Sequence, residues 1–225
     1  MKKKSTGLLF ITPFILFFML FWLIPFIYGI VMSLSKYSLI MGNQGFVGFS
    51  NYIKILVGDS MYHNSFLLGL KNTVIFTACT TPFLVLGSLG LALLLDRLPD
   101  KCKGIFRTIY FASYSVSVTA VAAVFVWLMK GNGGYLNNLM MNIGIIKKAV
   151  PWMEQQPFVW VSLTVATVWW TIGYNMMLFV NALNEIDPQL YEASAIDGAR
   201  YWKQFRYIIF TGIKNVFYFV LMTTI

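Results

Sequence analysis

An all-α protein that crosses a membrane several times is the fold class this sequence predicts, on three observations. First, 58% of its 225 residues are hydrophobic and only 11% are charged, against roughly 25% charged in a soluble domain. Mean hydropathy is +0.70. Second, four apolar stretches reach the length of about 20 residues that a helical crossing needs. Third, none of the four contains Asp, Glu, Lys, Arg or His.

The expected spans are residues 8–33, 72–95, 108–129 and 158–183, within a single membrane domain over 1–225. A fifth apolar stretch begins at Val216 and reaches Ile225. It is too short for a hydrocarbon core of about 30 Å, so the expectation is a truncated span, with the carboxyl-terminal part of a longer protein missing. The first stretch is too long for the 7–15-residue apolar core of a signal peptide, and no small-x-small site follows it, so it reads as a retained span.

The net charge of +9 follows from topology. Cytoplasmic loops are enriched in Lys and Arg. Lys2, Lys3 and Lys4 place the amino terminus in the cytoplasm, and alternation then puts Arg97, Lys101, Lys103 and Arg107 inside, with Arg200, Lys203, Arg206 and Lys214. Lys36, Lys54, Lys71, Lys130, Lys147 and Lys148 fall in two longer outer loops. Cys79 lies in a span and Cys102 in an inner loop, so no disulfide is expected between them.

In the first outer loop, Gly45 and Gly48 predict turns, and Ser50 is placed to cap a short helix through Leu56. Trp152 and Trp160, near the end of the second, suit an interfacial belt. Pro13, Pro25 and Pro82 predict kinks within spans. Ser88 with Ala92, and Ser113 with Ser117, are small residues four apart, a spacing that lets helices approach closely.

The most informative segment is the polar stretch inside 184–215. Asp187-Pro188 signals a helix start, because Asp caps free amides and Pro is favoured at the first helical position. A helix from there sets Glu192, Ala195, Ile196 and Ala199 on one face, mostly small or apolar and suited to close contact with another protein. Gly198 bends the chain at low steric cost. Trp202, Phe205, Ile209 and Gly212 then recur at helical spacing, opposite Arg200, Lys203 and Arg206. Two short helices joined at a glycine make a docking shape. An interfacial helix resting on lipid explains Trp202 and Arg206 equally well, but not the small residues before them, which bury little area in lipid.

The segment resembles the cytoplasmic signature of permease subunits of bacterial binding-protein-dependent ABC importers: Glu-Ala-Ala, three residues, Gly, nine residues, Ile, one residue, Leu-Pro. Here the register is filled by Glu192-Ala193-Ser194, Gly198, Ile208 and Phe210-Thr211. The run Leu190 to Ala199, with Trp202 and Phe205, is similar to the carbohydrate-uptake (maltose/glycerol-phosphate type) branch. Gly48-Phe49-Ser50-Asn51-Tyr52, Asn72-Thr73 and Trp170-Thr171-Ile172-Gly173-Tyr174-Asn175 match further family elements. Two departures stand out. Ser194 replaces the second alanine, a small-for-small change. Phe210-Thr211 replaces Leu-Pro, and without that proline the second helix is free to run on into the next span.

The resemblance implies a type I importer permease fold in the bacterial cytoplasmic membrane, amino terminus inside. It implies two cytoplasmic ATPase subunits, a second permease and an extracytoplasmic sugar-binding protein as partners. The coupling loop would comprise Glu192, Ala193, Ser194, Ala195, Asp197, Gly198, Ala199 and Arg200. ATP would be held by the partner, since no Gly-x-x-x-x-Gly-Lys-Ser/Thr run occurs here, and no catalytic, metal or cofactor residues are expected in this chain. Charge-free spans suit a neutral sugar, which aromatic faces and amides recognise. Trp169, Trp170, Tyr174 and Asn175 are the candidate pathway residues, although aromatics at this spacing more often pack than bind. An ion-coupled secondary transporter would place ionisable groups within the membrane, and these spans have none. An intramembrane enzyme would need a nucleophile and base at depth, whereas the sole histidine, His63, falls in an outer loop. A non-transporting assembly subunit is set aside only by the family resemblance.

Overall fold

The computed structural model describes residues 2–58 and 60–225, with side chains from residue 9 onward. The side chains of Lys2, Lys3 and Lys4, on which the expected orientation partly rests, lie outside the described residues, as does that of Leu8. Contacts divide the chain into two compact units, Met1–Lys71 and Asn72–Ile225, where composition reads as one block.

In the first unit, α1 (Lys2–Phe18), a π-helical turn (Met19–Leu23) and α2 (Ile24–Ser33) follow one another. Leu9–Ser33 is long and apolar enough to cross a membrane. Pro13 sits inside α1 without ending it. Pro25 has a visible effect: it has no N–H, and its ring crowds the preceding turn. That turn is the π-helical one, where the N–H of Ile24 reaches back to the Met19 carbonyl, the wide spacing that marks a π bulge.

The hairpin that follows, β1 (Ser35–Ser38) and β2 (Gly42–Phe46), is absent from the sequence-based expectation. Its pairing slips between Ser35 and Tyr37, and Gly45, at φ 120°, occupies the bulge rather than a turn. Gly48, at φ 56°, does form a turn. In α3 (Ser50–Leu56) Ser50 is the first helical residue and caps nothing. Its neighbour Asn51 holds the unit together, its Nδ2 donating to the carbonyls of Ser33 (2.8 Å) and Ser35 (3.0 Å).

The helix α4 (Met61–Asp96) is continuous through Pro82 and begins well before the expected Asn72. In the second unit it packs with α8 (Phe158–Asn184) and α11 (Phe210–Thr224) to make the core. Ser88 and Ala92 are completely buried there, as their spacing predicts. The hydroxyls of Thr80 and Thr164 meet at 3.3 Å, and Thr81 donates to the Thr224 carbonyl at 3.3 Å.

Two differences from the expected spans concern the rest of this unit. The stretch 108–129 is not one helix. α5 (Asp100–Ala112) and a 3₁₀ turn (Ser113–Ser115) give way to α6 (Val118–Met129), and the two arms, Asp100–Ser115 and Val118–Met129, meet at 91°. Serine hydroxyls compete for helical carbonyls. The Ser113 Oγ takes the Tyr110 carbonyl at 3.0 Å, and Val116 and Ser117 turn extended. Ser113 lies at the break and also packs on α8, its hydroxyl reaching the Trp170 carbonyl at 3.4 Å, while Ser117 stands just before α6. Trp170 compensates: its indole N–H donates to the freed Val116 carbonyl at 3.0 Å.

The second difference is at the carboxyl end. α10 (Tyr201–Gln204), a π-helical turn (Phe205–Ile209) and α11 run on without interruption. Tyr201–Thr224 is a 24-residue helix long and apolar enough to cross, beginning where a loop to residue 215 is expected. Phe210 and Thr211 continue it, as the missing proline allows.

Between α6 and α8, the loop carries α7 (Tyr135–Asn142) and is organised by Asn137, which is fully buried. Its amide donates to the carbonyls of Gly131 and Val150. It accepts from the Val150 N–H and the Trp152 indole, all at 2.8–3.1 Å. Among the described residues, four helices are long and apolar enough to cross a membrane, or five if the bent pair counts as one span.

At Gly173, α8 comes so close to α5 that an added Cβ would collide with the Tyr110 carbonyl, whereas Gly90 of α4 faces open space. Gly173→Ala is therefore expected to destabilise the protein by about 1–3 kcal/mol and lower its unfolding temperature in detergent. Gly90→Ala is expected to leave that temperature unchanged or slightly raised.

Candidate functional site

The polar segment forms a tight corner. α9 (Pro188–Ile196) starts as expected, with Pro188 in its first turn and the Asp187 carboxylate accepting from the Gln189 N–H at 2.9 Å. It ends at Gly198, whose φ of 68° is the left-handed conformation that favours glycine. Two hydrogen bonds define the end: Gly198 N–H to the Ala195 carbonyl (3.1 Å) and Ala199 N–H to the Ser194 carbonyl (2.9 Å). That pair is the Schellman helix ending, which satisfies carbonyls the helix leaves free. Ala199 is thus folded back beyond the helix end and does not extend the Glu192, Ala195, Ile196 face.

The corner's two arms are joined by Ser194. Its hydroxyl donates to the Tyr191 carbonyl at 2.8 Å and accepts from the Gln204 side-chain amide at 3.0 Å. An alanine at 194 makes neither bond, so this departure from the family signature adds a cross-link. Tyr191 and Phe205 pack on the core and hold the corner from beneath. Burial pushes the Tyr191 phenol above its ordinary value of 10.0, and the nearby Asp96 and Tyr201 add to the rise.

The outward face is bare. Glu192, Ala193, Ala195, Asp197, Gly198 and Arg200 are exposed, and Ile196 is 88% exposed. Behind the corner a cavity of about 380 Å³ runs between the end of α8 and α11, lined by Glu185, Asp187, Leu190, Tyr207 and Thr211 among others. Of the later apolar positions, Ile209 is buried and Gly212 lies against Ile186, while Trp202 is 69% exposed and stacks on Phe205.

The four aromatic and amide positions of α8 divide. Trp170 and Tyr174 come together on Tyr114, at centroid distances of 5.7 and 4.8 Å. Trp169 points elsewhere, against Phe125 at 5.6 Å. It also lines a groove of about 450 Å³ at the α5–α6 break, with Ser113, Val116 and Ile172. Asn175 is buried, and among the described residues its Nδ2 has no hydrogen-bond partner. Tyr114 escaped the sequence reading; its only signal is its place within Ser113-Tyr114-Ser115-Val116-Ser117. Among the described residues no cluster of His, Cys, Asp or Glu is arranged to hold a metal ion.

A family model described as "Binding-protein-dependent transport system inner membrane component" matches residues 50–225. The lactose transport system permease protein LacF of Rhizobium radiobacter is 31% identical over 218 residues, covering 97% of this chain and 70% of that protein. The arabinooligosaccharides transport system permease protein AraP of Bacillus subtilis (strain 168) is 29% identical over 226 residues, covering 100% and 69%. A solved bacterial ABC transporter involved in the import of the acidic polysaccharide alginate matches the fold with a TM-score of 0.83. The two are 22% identical, over 99% of this chain and 73% of that one. A bacterial alginate ABC transporter in complex with an alginate pentasaccharide-bound periplasmic protein matches at 0.82 and 22%, over 99% and 72%.

Gly198 tolerates side-chain volume, because nothing lies within 4 Å of its Cβ position; backbone conformation is the constraint. Gly198→Val is expected to loosen the corner by about 1–2 kcal/mol, seen as faster hydrogen exchange at the Ala199 amide. Gly198→Asn, which tolerates the left-handed region, is expected to cost less. Asp96→Asn is expected to lower the Tyr191 titration midpoint, read by carbon-13 NMR of the labelled ring. Because the folded-state value is raised, the stabilisation from the neutral phenol is intact below pH 10 and is lost as pH climbs through the raised value.

Proposed function

Because the chain belongs to the family of binding-protein-dependent transport system inner membrane components, we propose that it is a permease subunit of an ATP-driven importer, and that the corner from Pro188 to Gln204 is where a cytoplasmic ATPase subunit docks. The observation that carries this reading is the exposed Glu192–Gly198 surface, held in one shape by the Gly198 turn and the Ser194–Gln204 bond. A rigid corner transmits displacement, whereas a flexible loop absorbs it. Its inner end is anchored in the α4–α8–α11 core through Tyr191 and Phe205, so force applied outside reaches the membrane helices.

Glu192 offers a charge to the ATPase cleft, while Ala193, Ala195 and Ala199 permit close approach and Asp197 and Arg200 flank the turn. ATP and its hydrolysis belong to the partner. A second permease completes the pathway, and an extracytoplasmic binding protein delivers cargo. The amino terminus lies in the cytoplasm of the bacterial cell, and the chain is a multi-pass component of its inner membrane.

The cargo is a sugar or oligosaccharide. This rests on relatives named for lactose and arabinooligosaccharides and on the uncharged helix α8, which carries the candidate pathway residues. Trp169 on the groove at the α5–α6 break, and the Trp170–Tyr174 pair on Tyr114, offer ring faces on which sugars stack; Asn175 supplies an amide beside them.

Co-purification tests the docking. Wild type is expected to retain the ATPase subunits. Glu192→Lys and Gly198→Trp are expected to reduce that retention at least about ten-fold, the loss typical of breaking a paired interface charge. ATP-driven sugar uptake is expected to fall with it. Intact complexes and uptake in both variants would rule the corner out as the docking surface.

A further inference from the structure

The corner is braced by more than its own residues. At the end of α4 the chain turns back on itself: the Arg97 N–H reaches the Leu94 carbonyl at 3.3 Å and the Leu98 N–H reaches that of Leu95 at 3.1 Å. Leu98 packs on the core, and Pro99 leads directly into α5. Arg97 is therefore stapled to the last turn of α4 and sits at the joint between α4 and α5. From there its guanidinium lies over the ring of Tyr201, with Cζ 4.1 Å from the centroid. Among the described residues the one ion pair is Lys103–Asp100 at 3.2 Å, so Arg97 is in no ion pair.

Tyr201 is the first residue of the helix after the glycine turn. The Ser194–Gln204 bond ties the two arms of the corner to each other but to nothing else. Tyr191 and Phe205 rest on apolar side chains, a non-directional contact that resists separation more than sliding. The Arg97–Tyr201 stack differs in kind: it fixes the second arm laterally to a separate helix joint.

We infer that Arg97 is a positioning residue for coupling: its cation–π contact with Tyr201 fastens the docking corner to the α4–α5 joint, so that a push on the corner is delivered to α4 and α5 as well as to α11. The inference rests on the docking role proposed above. α5 leads to the 91° break, so the brace connects the outer surface of the corner to the α5–α6 pair.

The test uses the complete importer in proteoliposomes, with its binding protein, measuring ATP hydrolysed per sugar transported. Arg97→Ala and Tyr201→Leu are expected to keep the ATPase subunits bound. Each is expected to raise that ratio about two- to five-fold, the range an exposed cation–π contact supplies. The double variant is expected to do no more than either single one, since both remove one interaction. Tyr201→Phe keeps a ring face and is expected to restore the wild-type ratio, which a merely structural hydroxyl would not. Should Arg97→Ala fail to accumulate, Arg97→Gln keeps most of the stem and carries the same expectation. An unchanged ratio in the single variants, additive effects in the double, or a Tyr201→Phe protein as uncoupled as Tyr201→Leu overturns the brace and leaves the docking reading standing. Absence of ATP-driven uptake by the wild type overturns the docking reading and the brace with it.

Discussion

Inside hydrocarbon an unpaired backbone N–H or C=O has no water to turn to, and each one left so costs several kcal/mol. The membrane-length segments of this chain are shaped by that constraint. It keeps α4 continuous through Pro82 and makes the turn before Pro25 widen instead of open. It is sharpest at the α5–α6 break, where Val116 and Ser117 leave the helical conformation within an apolar stretch. The break persists because its carbonyls are claimed: Tyr110 by the Ser113 hydroxyl, Val116 by the Trp170 indole. Trp170 is then a structural partner of the break before it is anything else. Its ring stacks on Tyr114, as does that of Tyr174, so the side chain joins the break to the aromatic cluster.

The corner at Gly198 solves the same accounting problem with different means. It has water on one side, so its helix ends need no burial. Even so, the Schellman bonds and the Ser194 hydroxyl satisfy and cross-link them. Shape fixed in advance lowers the entropy lost when a partner binds, and it keeps the corner from yielding when pushed.

Much of this was legible in the sequence because the signals are local. Charge-free runs gave the extent of α8, Asp187-Pro188 its following helix, and Gly198 the turn, since each depends on residues within a few positions. Phe210-Thr211, standing where a proline is expected, left the second helix free to run on, but Lys203, Arg206 and Lys214 masked the full helix from Tyr201 to Thr224. What was not legible depends on partners far along the chain. Ser113 and Ser117 have the spacing of packing residues, and nothing near them in the chain shows that the Trp170 indole closes the break at Val116. The hairpin strands are polar and glycine-rich, poor strand formers by composition; the carbonyls claimed by Asn51 set their base. Arg97 and Tyr201 share no motif and meet only because two helix ends converge.

One tension in the corner supports the proposed docking reading over contact with lipid. An interfacial helix lying on lipid should bury its apolar side chains and point its charges outward. Here Tyr191 and Phe205 turn to the core, and Ile196 is left 88% exposed beside Glu192 and Asp197. A lone isoleucine flanked by two carboxylates is poorly suited to a bilayer, whose cytoplasmic leaflet is itself negative. It is well suited to a protein cleft that offers a small apolar pocket rimmed by polar groups, the usual anatomy of a specific interface. Trp202, beyond the bend, is 69% exposed, and lipid suits it as well as a protein partner does. On the docking reading proposed above, the face offered to the ATPase and the helix that would carry its displacement onward meet at the Gly198 turn.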